Sequence, residues 1–482
     1  MALLAGACAG IAPGAHADDL MTALTRTYAT NPDILEARAR ARAQDEGVQI
    51  ARANALPSLS GLVRYNRSLA VGVNNYTSPT RTLTADANAT QLVFAGGAVR
   101  NAILAAKQRV YASRSDITST ESSVFASVVA AYLSVIHDEA VVNLNQRNVD
   151  ALEVNLKATT SRFDHGDLTR TDVAQSRERL FLARAVLQTA QVNLIASREK
   201  YVQLVGSAPG QLEPPPPMRG LPMTVDDAID IAIDNNPDLA SAKSVAHAYG
   251  YDARAAAASR MPKVQIFGTF EYANYFNTYG GTATDIFGNP LSSSYRQYDK
   301  TASVGVQMSI PIFQGGLPAA QERQADAQRS AALERATSVE RQVMEGVRTA
   351  FAGWRASDDI IAANRTAVDA AQQSLIGVRA ENKIGNRTIL DILNAEQELL
   401  SAQVQLVSAQ RDAYIAAFNL LTAMGRATAR DIGLDNPYDP TVNYHHSSGN
   451  IWDWGGRTTT SAVATSTRNV PVQDGTIAPP KP

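Results

Sequence analysis

The sequence predicts a mixed, mainly α chain with an internal two-fold repeat, in which long coiled-coil helices alternate with short amphipathic strands. Three observations predict it. Short motifs recur at constant spacing in the two halves of the 482 residues. Each half carries one very long stretch almost free of Gly and Pro. Each half also carries paired segments of period-two alternation, too few to close a membrane barrel within one chain.

The repeat is read directly from the residues. Asn31-Pro32-Asp33 recurs as Asn236-Pro237-Asp238, a shift of 205. Ala23-Leu24 matches Ala228-Ile229, and Pro57 matches Pro262, at the same shift. Phe94-x-Gly96-Gly97 recurs as Phe313-x-Gly315-Gly316, a shift of 219. Gly166 with Gly385, Asp172 with Asp391 and Gly206 with Gly425 keep that second shift. The 14 extra residues fall between Pro262 and Gly315, where "YGGTATDIFGNPLSSSY" is the loop that holds them. The expected organisation is a first repeat over 18–206, a Pro-rich linker over 207–223, a second repeat over 224–425 and a tail over 426–482.

Composition is consistent with helices packed through small side chains. Hydrophobic residues make up 45% and aromatics only 6%, while Ala occurs in runs such as "ARAAAAS". A net charge of −2 gives no electrostatic case for nucleic acid. The first 17 residues are apolar and end in Ala15-His16-Ala17, a signal-peptide cleavage pattern without the usual basic start. Removing them removes Cys8 and leaves no Cys, which suits export. Ala5 stands where a lipid-attachment motif around Cys8 would want a Leu-like residue. Beyond this leader no uninterrupted run of about 18 apolar residues suggests a membrane-spanning helix.

The strand pairs are expected at about 58–94 and 263–313. Leu59, Val63, Tyr65, Leu69, Val71 and Val73 share one face of the first; Leu83, Ala85, Ala87 and Ala89 alternate with polar residues in the next segment. Val264, Ile266, Phe270 and Tyr272 share a face in the second half, as do Ala302, Val304, Val306, Met308, Ile310 and Ile312. Such strands have the length that crosses an outer membrane, and the alternation also suits a soluble hairpin packed on helices. In lipid, four strands per chain must join other chains, and three chains would supply twelve.

Helix hairpins are expected over 98–205 and 317–424. Ala98 to His165 contains neither Gly nor Pro; Leu317 to Ile384 contains only Pro318, Gly346, Gly353 and Gly377. The return helices show heptads. Val173, Leu180, Leu187, Leu194 and Tyr201 are offset by Ser176, Ala183, Ala190, Ser197 and Leu204. Ile392, Leu399, Leu406, Ala413 and Leu420 are offset by Ala395, Ala402, Ala409, Ala416 and Ala423. A strict seven-residue repeat imposes a coiled-coil seam, and small residues let the axes approach. The turns between long and return helices read "GDLTRTDV" and "GNRTILDI". Gly166 and Gly385 can take positive φ there, and Thr169 and Thr388 are N-cap candidates. Asp172 and Asp391 favour the starts of the return helices in any case.

The doubled "NPD", the "LP" or "MP" before each strand pair, the doubled F-x-G-G and the two turns together resemble the TolC-type outer-membrane efflux family over about residues 19–425. The resemblance implies a long α-helical coiled-coil barrel continuous with an outer-membrane β-barrel shared by three chains, four strands per chain. It implies a homotrimer that extends into the periplasm and docks on an inner-membrane transporter and a periplasmic adaptor (membrane fusion) protein, with outer-membrane lipid around its barrel. It also implies that the two turns form the periplasmic tip and that an ionic network closes it. By position, Arg387 would face Thr171 and Asp172 of the other hairpin, and Asp391 would form an acidic ring. Asn394 stands where the best-known members carry a second acid, and Asn382 where they carry a Tyr. Gly166, Leu168, Thr169, Gly385 and Thr388 would contact the adaptor. The tail "GLDNPYDPTVNYHH" is similar to members serving type I secretion with an ABC transporter.

No catalytic constellation, cofactor motif or metal set is expected; His445-His446 is a lone pair in a polar tail. From about Ser447 the chain is rich in Thr, Ser and Pro and is expected to be partly disordered, with "IWDWGG" a possible packed exception. A drug-efflux component and a soluble periplasmic coiled-coil protein remain alternatives to a secretion duct.

Overall fold

A computed structural model describes residues 19–70, 79–218, 220–280, 283–284, 286–287, 290–291, 296–449, 452–454 and 467–477. The predicted leader with Cys8, and Val71 and Val73 of the first apolar face, lie outside these residues.

Both halves run through the same order. Helices α1 (Leu20–Thr30) and α2 (Pro32–Ala53) lead into strands β1 (Ser58–Arg67) and β2 (Arg81–Phe94), then α3 (Ala98–Asp164) and α4 (Arg170–Val205). The second half repeats this with α5 (Val225–Asn235), α6 (Pro237–Ala257), β3 (Lys263–Asn274), β6 (Tyr298–Ser309), α7 (Leu317–Lys383) and α8 (Ile389–Ala423). The extra residues of this half include a minimal ladder of β4 (Ala283–Thr284) with β5 (Pro290–Leu291). Short helices α9 (Ala429–Ile432) and α10 (Thr441–Ser448) follow.

The doubled motifs have doubled jobs. In each "NPD" the Asn caps a helix: Asn31 Oδ1 accepts from the Asp33 N–H at 2.9 Å, and Asn236 Oδ1 from the Asp238 N–H at 3.0 Å. The same Asn closes the end of the distant return helix. Asn31 Nδ2 donates to the Leu204 carbonyl and Asn236 Nδ2 to the Ala423 carbonyl. Pro follows at the first helical position, where its missing N–H costs nothing. The F-x-G-G turns swing the strands into the long helices. Gly96 has φ +60°, and a Cβ there would lie 2.3 Å from the Met261 Cβ, so only Gly fits.

The sheet order is β1-β2-β3-β6, antiparallel throughout. Its register brings the four predicted apolar faces together. Leu59, Ala89, Gly268 and Val304 lie in one cross-strand row, and Gly61, Ala87, Phe270 and Ala302 in another. The opposite face carries rows such as Ser60, Asn88, Thr269 and Ser303, with Thr269 and Ser303 hydroxyls 2.6 Å apart. Val63 and Val304 remain 71% and 84% exposed, so nothing among the described residues covers the apolar face at these positions. Among the described residues no further strand pairs with β1 or β6, which are the edges of the sheet.

Below the sheet α3 packs against α2, α4, α6 and α8, and α7 against α6 and α8. With 67 residues each, α3 and α7 are about 100 Å long at 1.5 Å per residue. The predicted seam of α4 is buried at Ser176, Leu180, Ala183, Leu187, Ala190, Leu194 and Tyr201. In α8, Ala395, Ala409 and Leu420 are buried, while Ile392, Leu399 and Leu406 are half-buried. One expectation needs correction: α3 and α4 each contain an 18-residue window apolar enough to cross a membrane. In α3 44% of that window is buried inside the chain, because a helix that packs on five others, α1 included, needs apolar residues on most sides.

The tail is tied to the first repeat. Arg38 lies between the Tyr28 and Tyr438 rings, 4.2 and 4.8 Å from their centroids, and reaches Glu121 at 3.4 Å. Burial pushes the Glu121 carboxyl up, and Arg38 opposes that shift. The Tyr438 N–H donates to the Tyr28 hydroxyl at 2.7 Å. Composition places 467–477 in an unstructured tail, yet this segment lies along α4. The Arg198 guanidinium donates to the Asp474 and Thr476 carbonyls at 2.7 and 3.0 Å. Trp452 and Trp454, from the "IWDWGG" stretch, are 73% and 87% exposed.

Candidate functional site at the hairpin tips

The two turns have one geometry. Gly166 and Gly385 both have φ +85°, where an L side chain would be strained. Each long helix ends in a Schellman pair. The Gly166 N–H donates to the Phe163 carbonyl and the Asp167 N–H to the Arg162 carbonyl, both at 2.9 Å. The Gly385 and Asn386 N–H groups repeat this on the Asn382 and Glu381 carbonyls at 3.0 Å. The return helices then start from full capping boxes. The Thr169 hydroxyl accepts from the Asp172 N–H, and the Asp172 carboxylate accepts from the Thr169 N–H at 2.9 Å. Thr388 and Asp391 do the same.

These bonds set the acidity of the tips. The Thr169 hydroxyl and N–H hold the Asp172 carboxyl below its ordinary value. The Thr388 N–H and hydroxyl do so for Asp391, with Arg387 adding a smaller pull. The Glu381 carboxylate keeps the Arg387 guanidinium firmly protonated.

Positions placed by the resemblance divide into those joined and those apart. Arg387 Nε donates to Glu381 Oε2 at 2.8 Å, within its own hairpin. Among the described residues no bond joins Arg387 to Thr171 or Asp172. Asn382 Nδ2 donates to the Arg387 carbonyl at 2.7 Å and so braces the turn. Thr171 is exposed. Leu168 is half-buried against the apolar cluster that includes Ile389 and Leu393 of the other hairpin. Asn394 Oδ1 accepts from Arg179 of α4 at 2.9 Å, a direct link between hairpins.

Arg179 and Glu381 carry no motif, so the sequence reading missed both. Two further polar groups were also missed. Arg379 donates to Glu396 Oε1 at 2.7 Å, while Glu396 Oε2 is buried without a partner. His137 joins Ser408 of α8 through Nε2 at 2.9 Å and Asp138 through Nδ1 at 2.8 Å. The Ser197 hydroxyl donates to the same Asp138, so α3, α4 and α8 share one polar staple. Only the heptad around Ser197 hinted at it.

The site is therefore two apposed, tightly capped tips whose carboxylates stay ionised and whose hairpins meet, among the described residues, through the Arg179–Asn394 bond and the apolar contact of Leu168. Such an arrangement can present shape and charge, and one hairpin can shift against the other.

Known proteins place this geometry. The chain is 33% identical to outer membrane efflux protein BepC of Brucella suis over 431 residues, covering 89% of this chain and 90% of BepC. It is 27% identical to alkaline protease secretion protein AprF of Pseudomonas aeruginosa, covering 62% of this chain and 60% of AprF. The crystal structure of the Campylobacter jejuni CmeC outer membrane channel has the same fold at a TM-score of 0.74 and 15% identity, covering 89% of each chain. The profile of the family described as outer membrane efflux protein matches residues 23–207 and 228–426, the two repeats. With both repeats matched, the chain belongs to the outer membrane efflux protein family, and it is an outer-membrane channel component that extends into the periplasm.

Proposed function

We propose that three copies of the chain close one barrel and form the passive exit duct of a tripartite export system. The sheet is the supporting observation. It has one apolar face and two open edges, and four antiparallel strands let β6 of one copy meet β1 of the next antiparallel. Lipid demands that closure, because an open edge leaves backbone groups without partners. Energy comes from an inner-membrane transporter, reached through a periplasmic adaptor that contacts the tips at Gly166, Leu168, Thr169, Gly385 and Thr388.

The finer reading is type I protein secretion with an ABC transporter, supported by the tail motif and by the name of AprF. The name of BepC, with its higher identity and coverage, supports efflux, and a multidrug efflux pump is the second reading. Purified full-length chain in planar bilayers is expected to give stepwise conductance. A detergent-free soluble oligomer without pores would instead favour a structural coiled-coil protein. Deleting the gene is expected to abolish export of a large protein while drug susceptibility stays unchanged; the reverse pattern supports efflux.

The tips are the gate in this reading. Asp172 uses Oδ2 for its own cap, and Oδ1 accepts nothing among the described residues. It is open to Arg387 of a neighbouring copy, while Asp391 contributes one acid per chain around the pore. Arg387→Ala and Asp172→Asn should then raise closed-state conductance alike. If Glu381→Gln raises it and Asp172→Asn does not, Arg387 acts within its own hairpin.

A further inference from the structure

The outer face of α3 carries a cation every seven residues: Arg100, Lys107 and Arg114. Seven residues are close to two helical turns, so the three stack along one face. None of their side chains has an ion pair or hydrogen bond among the described residues, and Arg114 Nε is buried without a partner there. Arg114 packs against the Tyr444 ring of α10 at 5.4 Å. Asp439, just before α10, lies close enough for Arg114 to add to the pull of the Thr441 bonds that hold its carboxyl below the ordinary value. Its carboxylate is already held by the Thr441 N–H at 2.8 Å and hydroxyl at 2.7 Å.

Two cavities meet at Lys107. The lower, about 230 Å³, lies between Lys107, Tyr111 and Arg114 of α3 and Tyr444 and His445 of α10. The upper, about 480 Å³, is mainly apolar and runs from Lys107 past Leu104, Ile103 and Val99 to Phe94, with Arg100 also on its wall. Phe94 pairs with Val264, so it belongs to the apolar face of the sheet. The upper groove therefore opens at the rim of the membrane-facing surface. Lys107 and Arg114 sit about 13 and 24 Å below the start of α3, and helical side chains lean toward the helix N-terminus, here toward the membrane. α3 is flanked by α2 and α6 of its own chain.

We propose that this surface binds an anionic phospholipid from the periplasmic leaflet. The acyl part lies along the apolar groove, and Lys107 and Arg114 hold the phosphate beside His445. A guanidinium offers a fork that matches phosphate oxygens, and an ammonium adds a compact charge. The proposal goes beyond the duct reading and rests on the outer-membrane placement of the strands.

The test uses the full chain, purified as its oligomer in an uncharged detergent. Calorimetry compares short-chain phosphatidylglycerol, diacylglycerol with the same chains, and inorganic phosphate. Phosphatidylglycerol is expected to bind at least tenfold more tightly than either, and Lys107→Gln with Arg114→Gln to lose at least tenfold. Equal binding of diacylglycerol would leave the cations no role and overturn the proposal. Equal binding of inorganic phosphate would overturn the lipid assignment in favour of a free-anion site. Lys107→Gln alone alters one half-buried side chain, so an unchanged affinity there sinks the proposal even if the double variant fails to fold. Pore conductance of Lys107→Gln is expected to be unchanged, which separates failure of lipid binding from failure of the duct.

Discussion

Thr169 and Thr388 start the two return helices, and each shares a reciprocal pair of bonds with the Asp three residues on. Losing such a cap costs about 1 kcal/mol. Thr388→Ala is therefore expected to lower amide protection in the first turn of α8 roughly fivefold, read by hydrogen exchange, with the seam unaffected. The pH dependence follows from the same bonds. Asp172 and Asp391 are held below their ordinary value of 3.8 in the folded chain. Their contribution is fully present above that value and is lost as pH falls through the lower folded-state value. Protection at both tips should thus be constant from pH 7 to 5 and fall in strong acid. At this scale the sequence was legible: Gly, Thr and Asp at fixed offsets act on neighbours a few residues away.

At the scale of elements the sequence showed the helices but not the bonds that join them. Arg179 and Asn394 lie 215 positions apart, and no local pattern marks Arg179 as a partner. The resemblance raised the question of a missing acid at 394. The structure shows that the amide there already serves as an acceptor between hairpins. Replacing it by a carboxylate makes that bond charge-assisted. Asn394→Asp is expected to lower closed-state conductance by about 1.4- to fivefold, in line with about 0.2–1 kcal/mol for an exposed pair. The effect should shrink in 1 M salt and vanish with Arg179→Gln. A gain in cation block that is unchanged by Arg179→Gln would show that residue 394 faces the pore instead. The His137 staple is hidden for a similar reason, since its four side chains come from three helices.

For the whole molecule, the sheet separates two environments. Val63 lies on the apolar face and Asn88 on the polar face, as their registers with Ala85 and Ser60 require. Val63→Arg should cost about 2–4 kcal/mol of insertion near the bilayer midplane, measured by partition into lipid vesicles. Asn88→Arg should insert normally and shift the pore toward anion selectivity. If both variants inserted equally well, the sheet would not be lipid-facing. Alternation alone revealed each strand's two faces, because side chains alternate with period two whatever the neighbours are. It could not reveal that four faces from two distant segments fall on one side. Register does that, and register is a property of the paired sheet.

The sequence by itself determined the repeat, the strands, the long helices, the seam and the capped tips. All of these follow from local periodicity or from matched motifs, and they also located the family. Only the tertiary structure decided the Arg387–Glu381 pair, the Arg179–Asn394 link, the packing of Tyr438 over Arg38 and the docking of 467–477 on Arg198. These contacts join side chains remote in sequence or geometrically unmarked. Their energies depend on which surfaces meet, and a linear pattern does not encode that meeting until the chain has folded.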